Sequence, residues 1–509
     1  MSPRHIIFLS LVLMVPLWSE VKLPKVFTDH MVIQRDKEVV IWGTADVEQE
    51  VAVTFRGEKV TAVVKNGKWK AVLKAMPAGG PFELSVEGKN QILFKDVLVG
   101  EVWLAGGQSN MQFLLMNSTG GKEEIESARS DQIRYYLVAY NPVEGAEVVQ
   151  NPWQPVDSKS CAKFSAVAHY FAKSIHADLK VPVGIIGCYK GGTPAEAWMN
   201  EAFLAGKDFE SIRTNYAVVL ERYNPADYEK FLAATAAHKE ALSRGEKSTI
   251  KVKEPLGPHS PFRPSGLYKT MLTQVIPFTI RGFLWYQGEA NAARPEQYRK
   301  LFPALITNWR SEWNDEALPF LFVQLPSYGA TAYRNAEWAW LRDAQLAAAK
   351  SVPNTGMVIA RDTGEEATIH PLDKKPVGER LAILARGLVY GEKIEYSGPI
   401  FENAEKEKNQ FRLRFSHTGE GLKISGNEPL SGFLICGEDK NWLPAEAKLE
   451  NGSIVVWNEK VADPAAVRYA WANWSTGNLF NTAGLPASPF RTDHFEFSPA
   501  VKSRVNENE

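Results

Sequence analysis

The spacing of hydrophobic and polar residues changes twice along this chain, and the changes mark its domains. From about 20 to 97, apolar and polar positions alternate between closely spaced turn residues, as at 38–43, 51–57 and 69–73. Helical periodicity is absent there, so the segment reads as a small β-sandwich. From about 98 to 391, short apolar runs bounded by turn residues recur at 102–105, 133–138, 183–186, 283–286, 320–325 and 357–360. Helical stretches lie between several of them, at 162–180, 295–313 and 338–350, and a helix at 377–390 closes the region. Buried strands alternating with helices predict an α/β fold with a mostly parallel sheet covered on both faces. Residues 201–262 are charged and contain a helical stretch at 231–243 and a proline-rich loop at 255–264. They read as an insertion at the rim of the sheet. From 396 to 500 the β pattern returns, at 410–416, 432–436, 454–457 and 467–471, and predicts a second β-domain. The polar stretch 501–509 reads as a frayed tail.

With 509 residues the chain is too long for a single core. A net charge of −1 gives no bulk field for a nucleic-acid partner. At the N-terminus Arg4 and His5 precede an apolar run at 6–17 and a small residue, Ser19. That is the layout of a secretory signal peptide over 1–19, with an exported, periplasmic or extracellular product that no longer engages the membrane. Cys161, Cys188 and Cys436 are an odd set, so at least one thiol stays free. No CxxC or HExxH spacing occurs, and no structural zinc site is expected.

The chemistry concentrates where strands end. The run 102–105 leads into Gly106, Gly107, Gln108 and Ser109, followed by an apparently helical segment. Such a layout places a hydroxyl at the C-terminal edge of the sheet, beside free N–H groups that favour a developing negative charge. It also fits an ordinary strand-to-helix turn with Ser109 as N-cap. A serine nucleophile needs a base, and His370 is the best of the histidines. It follows the strand ending at Ala360, so its loop lies on the same edge, and Pro371 restricts its backbone. Two more glycine-containing loops follow strands, Gly187 to Pro194 and Gln287 to Asn291. Either could bring a backbone N–H or a side-chain amide near Ser109, which is the requirement for oxyanion stabilisation.

Four blocks, GGQSNM at 106–111, GGTPAEAW at 191–198, LWYQGEANA at 284–292 and IHPLDKKPVGERLA at 369–382, occur in an order that resembles the sialate O-acetylesterase-like family. That family is a carbohydrate-esterase branch of the SGNH hydrolases. The stretch Leu23 to Arg35 resembles the family's N-terminal domain, and the resemblance runs from about 23 to 490. It implies an SGNH, flavodoxin-like three-layer sheet flanked by the two β-domains. It also implies an esterase that removes O-acetyl groups from sugars with no metal or organic cofactor. By motif, Ser109 matches the nucleophile and His370 the general base. Gly192 and Gln287 match oxyanion positions, with the Ser109 amide as a third donor, and Glu289 and Asn291 share the loop of Gln287. The chain departs from many bacterial members at Thr368, where they carry an acid. Asp362 and Glu365 are the candidates to orient His370 in its place, and a Ser–His dyad without an acid is equally allowed.

The acetylated sugar is left open. Acetylated xylan or another glycan could replace sialic acid, and Arg342 and Lys374 are the candidates for holding a sialate carboxylate. An inactive carbohydrate-binding surface protein is a further reading, supported by the flanking β-domains and by Thr368. A G-x-S-x-G hydrolase is excluded locally, because Met111 stands where the second glycine would be.

Overall fold

The computed structural model describes residues 20–497, apart from 47, 247–252, 330–335 and 476. The expected leader at 1–19 and tail at 501–509 lie outside the described residues. In the N-terminal region, alternation of buried and exposed residues produces β1 (Val32–Gln34), β2 (Val39–Thr44), β3 (Glu50–Phe55), β4 (Glu58–Val63), β5 (Lys68–Leu73) and β6 (Gly79–Glu87). β2 and β5 form one antiparallel pair, and β3 pairs with β4 and β6 in a second sheet. Ile41, Val51, Val53, Phe55, Trp69 and Leu73 fill the space between them.

The seventh strand, β7 (Gln91–Gly107), belongs to both regions. Its first half pairs antiparallel with β6, and its second half runs parallel to its neighbours in the central sheet. The domain boundary expected at 97/98 therefore falls inside one strand. The expected strands follow, slightly lengthened or shortened: β8 (Ser130–Leu137), β10 (Val183–Tyr189), β11 (Gly282–Tyr286), β12 (Phe320–Gln324) and β13 (Thr355–Ile359). Between β8 and β10 a short β9 (Gln154–Val156) adds an antiparallel edge. The sheet order is β13-β12-β11-β7-β10-β8-β9, parallel from β13 to β8. The fold is thus mixed α/β with one large mixed sheet.

The helices are α1 (Ser109–Gln112), α2 (Gly121–Ser127), α3 (Ala166–Leu179), α4 (Glu210–Glu221), α5 (Pro225–Ser243), α6 (Gly266–Thr270), α7 (Pro295–Glu312), α8 (Glu337–Ser351) and α9 (Lys375–Leu388). α3 packs on α9, and α7 packs on α8. The two pairs cover opposite faces. Trp103 of β7 points to Phe171 of α3, whereas Gly106, on the other face of the same strand, lies against Trp309 of α7. α3 begins later than the apolar run predicts, because the Ser165 hydroxyl caps it by accepting from Ala168 N–H. α5 begins earlier, with Asn224 as cap and Pro225 in its first turn.

The C-terminal β-domain contains β14 (Ile400–Glu407), β15 (Gln410–Ser416), β16 (Leu422–Ile424), β17 (Phe433–Cys436), β18 (Leu443–Pro444), β19 (Glu446–Glu450), β20 (Ser453–Trp457), β21 (Ala466–Tyr469), β22 (Leu479–Asn481) and β23 (Phe490–Arg491). They form sheets β14-β15-β20-β19 and β18-β17-β21-β23 and the pair β16-β22. This β region is fastened to the α/β region near α8. Arg342 donates to the carbonyls of Ala472 at 3.1 Å and Asn473 at 2.7 Å, and Gln324 Nε2 donates to Ser488 Oγ at 3.0 Å. All three cysteines are buried and free.

Candidate active site

The C-terminal ends of β7, β10, β11 and β13 lie along one edge of the parallel sheet, and the motif loops leave from there. β7 ends at Gly107, whose φ is +131°, a conformation that favours glycine. A side chain there would put its Cβ 2.2 Å from the Tyr286 carbonyl oxygen. The bare backbone lets β7 turn sharply into α1 while Gln108 N–H donates to that same oxygen at 3.0 Å. Gln108 is the N-cap residue, and Ser109 is the first residue of the helix rather than its cap. The first N–H groups of such a turn have no intrahelical partner.

The structure brings Ser109 and His370 together. Ser109 Oγ lies 2.8 Å from His370 Nε2, and both residues are half-buried. With the imidazole proton on Nδ1, the hydroxyl donates to Nε2, which is the geometry of a nucleophile beside its base. His370 N–H donates to Thr368 Oγ1 at 3.1 Å, so Thr368 braces the loop. Burial, with Lys374 adding to it, holds the imidazole below its ordinary value of 6.5.

The loop after β10 closes over the serine. Lys190 N–H donates to the Gly107 carbonyl at 3.1 Å, and Gly191 N–H to Gln112 Oε1 at 2.7 Å. A Cβ on Gly191 would stand 3.4 Å from the Ser109 Cβ. Gly192 follows with φ +76°. Among the described residues its N–H has no acceptor, so it can donate to an incoming group. Phe262, 37% exposed, borders Gly192 from the proline-rich loop of the insertion, a contact with no signal in the sequence pattern.

The other expected residues lie beneath this rim. Gln287 is fully buried, and its amide donates to the Thr193 carbonyl at 3.3 Å and to Asn291 Oδ1 at 2.7 Å. Both N–H bonds are committed, so it braces the Gly192 loop and is not free to serve an oxyanion. Asn291 is equally interior: Oδ1 accepts from Ala195 N–H at 2.9 Å and Nδ2 donates to Glu196 at 2.9 Å. Glu289 is buried and accepts from Asn110 Nδ2 at 2.5 Å. The turn Glu289–Asn291 after β11 directs these side chains inward.

Neither candidate acid reaches His370. Asp362 is held by both terminal nitrogens of Arg380, at 2.6 and 2.7 Å. Glu365 accepts from Leu372 N–H at 2.6 Å. Among the described residues no carboxylate lies within hydrogen-bond range of His370 Nδ1. The two cations considered for a sugar carboxylate are also interior. Arg342 and Lys374 are both 0% exposed, and Arg342 is bound to backbone carbonyls. Burial pushes Lys374 down to about 7 against the pull of Glu289, Glu365 and Asp373. Its ammonium donates to Asn110 Oδ1 at 2.6 Å. The sequence pattern gave Asn110 no role.

Among the described residues, no group of His, Cys, Asp and Glu is placed to hold a metal ion, and no helix is long and apolar enough to cross a membrane.

Residues 260–383 match the family model described as "carbohydrate esterase, sialic acid-specific acetylesterase". The chain is 28% identical to the sialate O-acetylesterase of Mus musculus, over 91% of this chain and 92% of the mouse protein. It is 26% identical to the sialate O-acetylesterase of Homo sapiens, over 98% of each chain. It is also similar to the crystal structure of a carbohydrate acetylesterase from Xanthomonas citri. That match has a TM-score of 0.79 and 33% identity, and covers 94% of this chain and 100% of the other.

Proposed function

The chain belongs to the sialate O-acetylesterase family of carbohydrate esterases, and from that premise we propose that it is a serine esterase that removes O-acetyl groups from sugars. The observation that carries the reading is the 2.8 Å approach of Ser109 Oγ to His370 Nε2, made by residues 261 positions apart. Ser109 Oγ attacks the acetyl carbonyl carbon as its proton passes to His370 Nε2. The oxyanion is received by the N–H groups of Ser109 and Gly192, each such donor being worth about 3 kcal/mol in a well-formed site. Gln287 holds the Gly192 loop in place. The bond between the acyl carbon and the sugar oxygen breaks, and that oxygen takes the proton from His370. Water then gives a proton to His370 and adds to the acetyl-serine. The bond between the acyl carbon and Ser109 Oγ then breaks, Oγ takes the proton back from His370, and acetate leaves. The step uses a Ser–His dyad, with Asp362 and Glu365 engaged elsewhere.

The domain plan and GGQSNM motif support placement among the SGNH hydrolases, with β-domains at 20–97 and 396–500. The apolar run at 6–17 supports export through a cleaved leader, to the periplasm or the extracellular space. Sialic acid is the favoured sugar, because the family description and the mammalian relatives are named for it. Acetylated xylan is the second reading. The burial of Arg342 and Lys374 favours it, since neither can reach a sugar carboxylate.

Acetate release from O-acetylated sialic acid and from acetylated xylan, by wild type and Ser109→Ala, tests this. Release from the sialate by wild type, reduced by several decades in the variant, is expected. A folded Ser109→Ala enzyme that keeps most of its activity overturns the reading.

A further inference from the structure

A base in acyl transfer is normally oriented by a carboxylate at its second nitrogen. Here the position two residues before His370 is Thr368, and Asp362 and Glu365 are engaged elsewhere. The loop is nevertheless gripped on both sides of His370 by one side chain, the neighbour of the nucleophile. Asn110 is fully buried. Its Nδ2 donates to the carbonyl of Ile369 at 3.0 Å and to Glu289 Oε1 at 2.5 Å. Its Oδ1 accepts from Lys374 Nζ at 2.6 Å. Ile369 precedes His370 directly, and Lys374 follows four residues later.

Lys374 is costly to place there. Its ammonium lies over the rings of Phe113, at 4.8 Å, and Tyr286, at 5.8 Å, in a pocket closed to solvent. Glu289 Oε2, also buried, has no hydrogen-bond partner among the described residues. A methionine would fill the lysine site without desolvating a charge, so stability alone does not account for the lysine. The arrangement makes sense if the charge and the hydrogen bonds serve the dyad.

We propose that Asn110, clamped between Lys374 and Glu289, is the positioning residue that fixes His370 on Ser109, doing through the loop backbone what an orienting acid does through the imidazole. The inference rests on the reading of Ser109 and His370 as the acyl-transfer pair. Lys374 has a second effect through its charge. The charged or titratable groups facing it are Tyr286 from β11, Glu289 from the turn after β11, Glu365 and Asp373 from its own loop, and His370. Where Lys374 carries its proton it disfavours a second cation beside it, so His370 stays a free base further into acid.

The test is the pH profile of kcat/KM on an aryl acetate, with kcat and KM separated. Lys374→Met, which keeps the volume and removes the charge, is expected to move the acid limb upward by roughly half a pH unit or more. Lys374→Gln keeps an N–H for Asn110 and is expected to move the limb the same way with a smaller loss of kcat. Asn110→Ala is expected to lower kcat by about 100-fold with KM changed less than about twofold, the signature of a misplaced reacting group. A role in packing alone would lower thermal stability and leave the limb where it is. An unmoved limb in a folded lysine variant, or an Asn110→Ala enzyme within about threefold of wild-type kcat, overturns the proposal. Ser109→Ala, assayed alongside, separates the two readings. If it is inactive while the other variants behave as wild type, only the positioning role falls; if it is active, the esterase reading falls as well.

Discussion

At the scale of single residues, the proposed chemistry depends on the ionisation of His370. Burial and then the Lys374 charge lower its proton affinity, and no carboxylate among the described residues counters them. A base with a depressed pKa stays unprotonated, and therefore competent, at lower pH than an ordinary imidazole. The acid limb of kcat/KM for the wild-type enzyme is expected to have its midpoint below 6.5. A midpoint at or above that value would mean that an acid reaches Nδ1 in the working enzyme. Ser109, His370 and Gly192 were legible in the sequence because each follows an apolar strand in a glycine- or proline-marked loop. The work of Gln287 was not. A sequence shows that an amide is present at a strand end but not which carbonyls receive its N–H groups, and here both are taken by Thr193 and Asn291. The pairing of Asn110 with Glu289 and Lys374 was hidden for a related reason. The two partners lie 179 and 264 positions away, and no local periodicity reports such a pairing.

At the scale of elements, the turn from β7 into α1 sets the position of the nucleophile. Gly107 is held with positive φ and almost touches the carbonyl of Tyr286 on β11. Gly107→Ala would force either the strand pair apart or the turn open. A loss of about 3 kcal/mol or more is expected, since backbone strain and overpacking add. Denaturant unfolding measures it, and activity should fall further than the folded fraction alone explains. An alanine variant of wild-type stability would contradict this account of the turn. β7 also shows why element boundaries escaped the sequence pattern. From Gln91 to Asp96 exposure varies along the strand, with Phe94 buried between exposed Leu93 and Lys95, whereas every residue from Val97 onward is buried. One strand thus carries two hydrophobic rhythms, because its first half edges a sandwich and its second half is covered on both faces. Read along the chain, that change looks like a domain border.

At the scale of the whole molecule, Glu101 ties the N-terminal sandwich to the hydrolase region. Its buried carboxylate accepts from Arg35 at 2.5 Å, from Arg281 at 2.7 Å and from Tyr390 at 3.0 Å. These partners follow β1, precede β11 and follow α9. Burial pushes the carboxyl up, but the bonds from Arg281 and Arg35 overcome it and hold the group below its ordinary 4.5. A depressed folded value means that this stabilisation is present above 4.5 and is lost as pH falls through the folded value. Glu101→Gln leaves two guanidinium groups without their counter-charge and is expected to cost about 3–5 kcal/mol at neutral pH. The gap in thermal stability between variant and wild type should narrow in acid. A gap that stays constant with pH would contradict the linkage. A mixed α/β fold with additional β-sheet regions was legible, because burial on one face or two leaves a period-two or a continuous pattern. The cross-ties between the parts were not, since they join single residues far apart in the chain.

The proposed reaction requires that Ser109 be a nucleophile activated by His370. Reaction with a fluorophosphonate, followed by mass spectrometry of the digested protein, tests it most directly. One adduct is predicted, on the peptide that contains Ser109, and its formation should slow by decades in a folded His370→Ala variant. An enzyme that releases acetate yet takes no adduct at Ser109, or that labels equally fast without His370, would contradict the account.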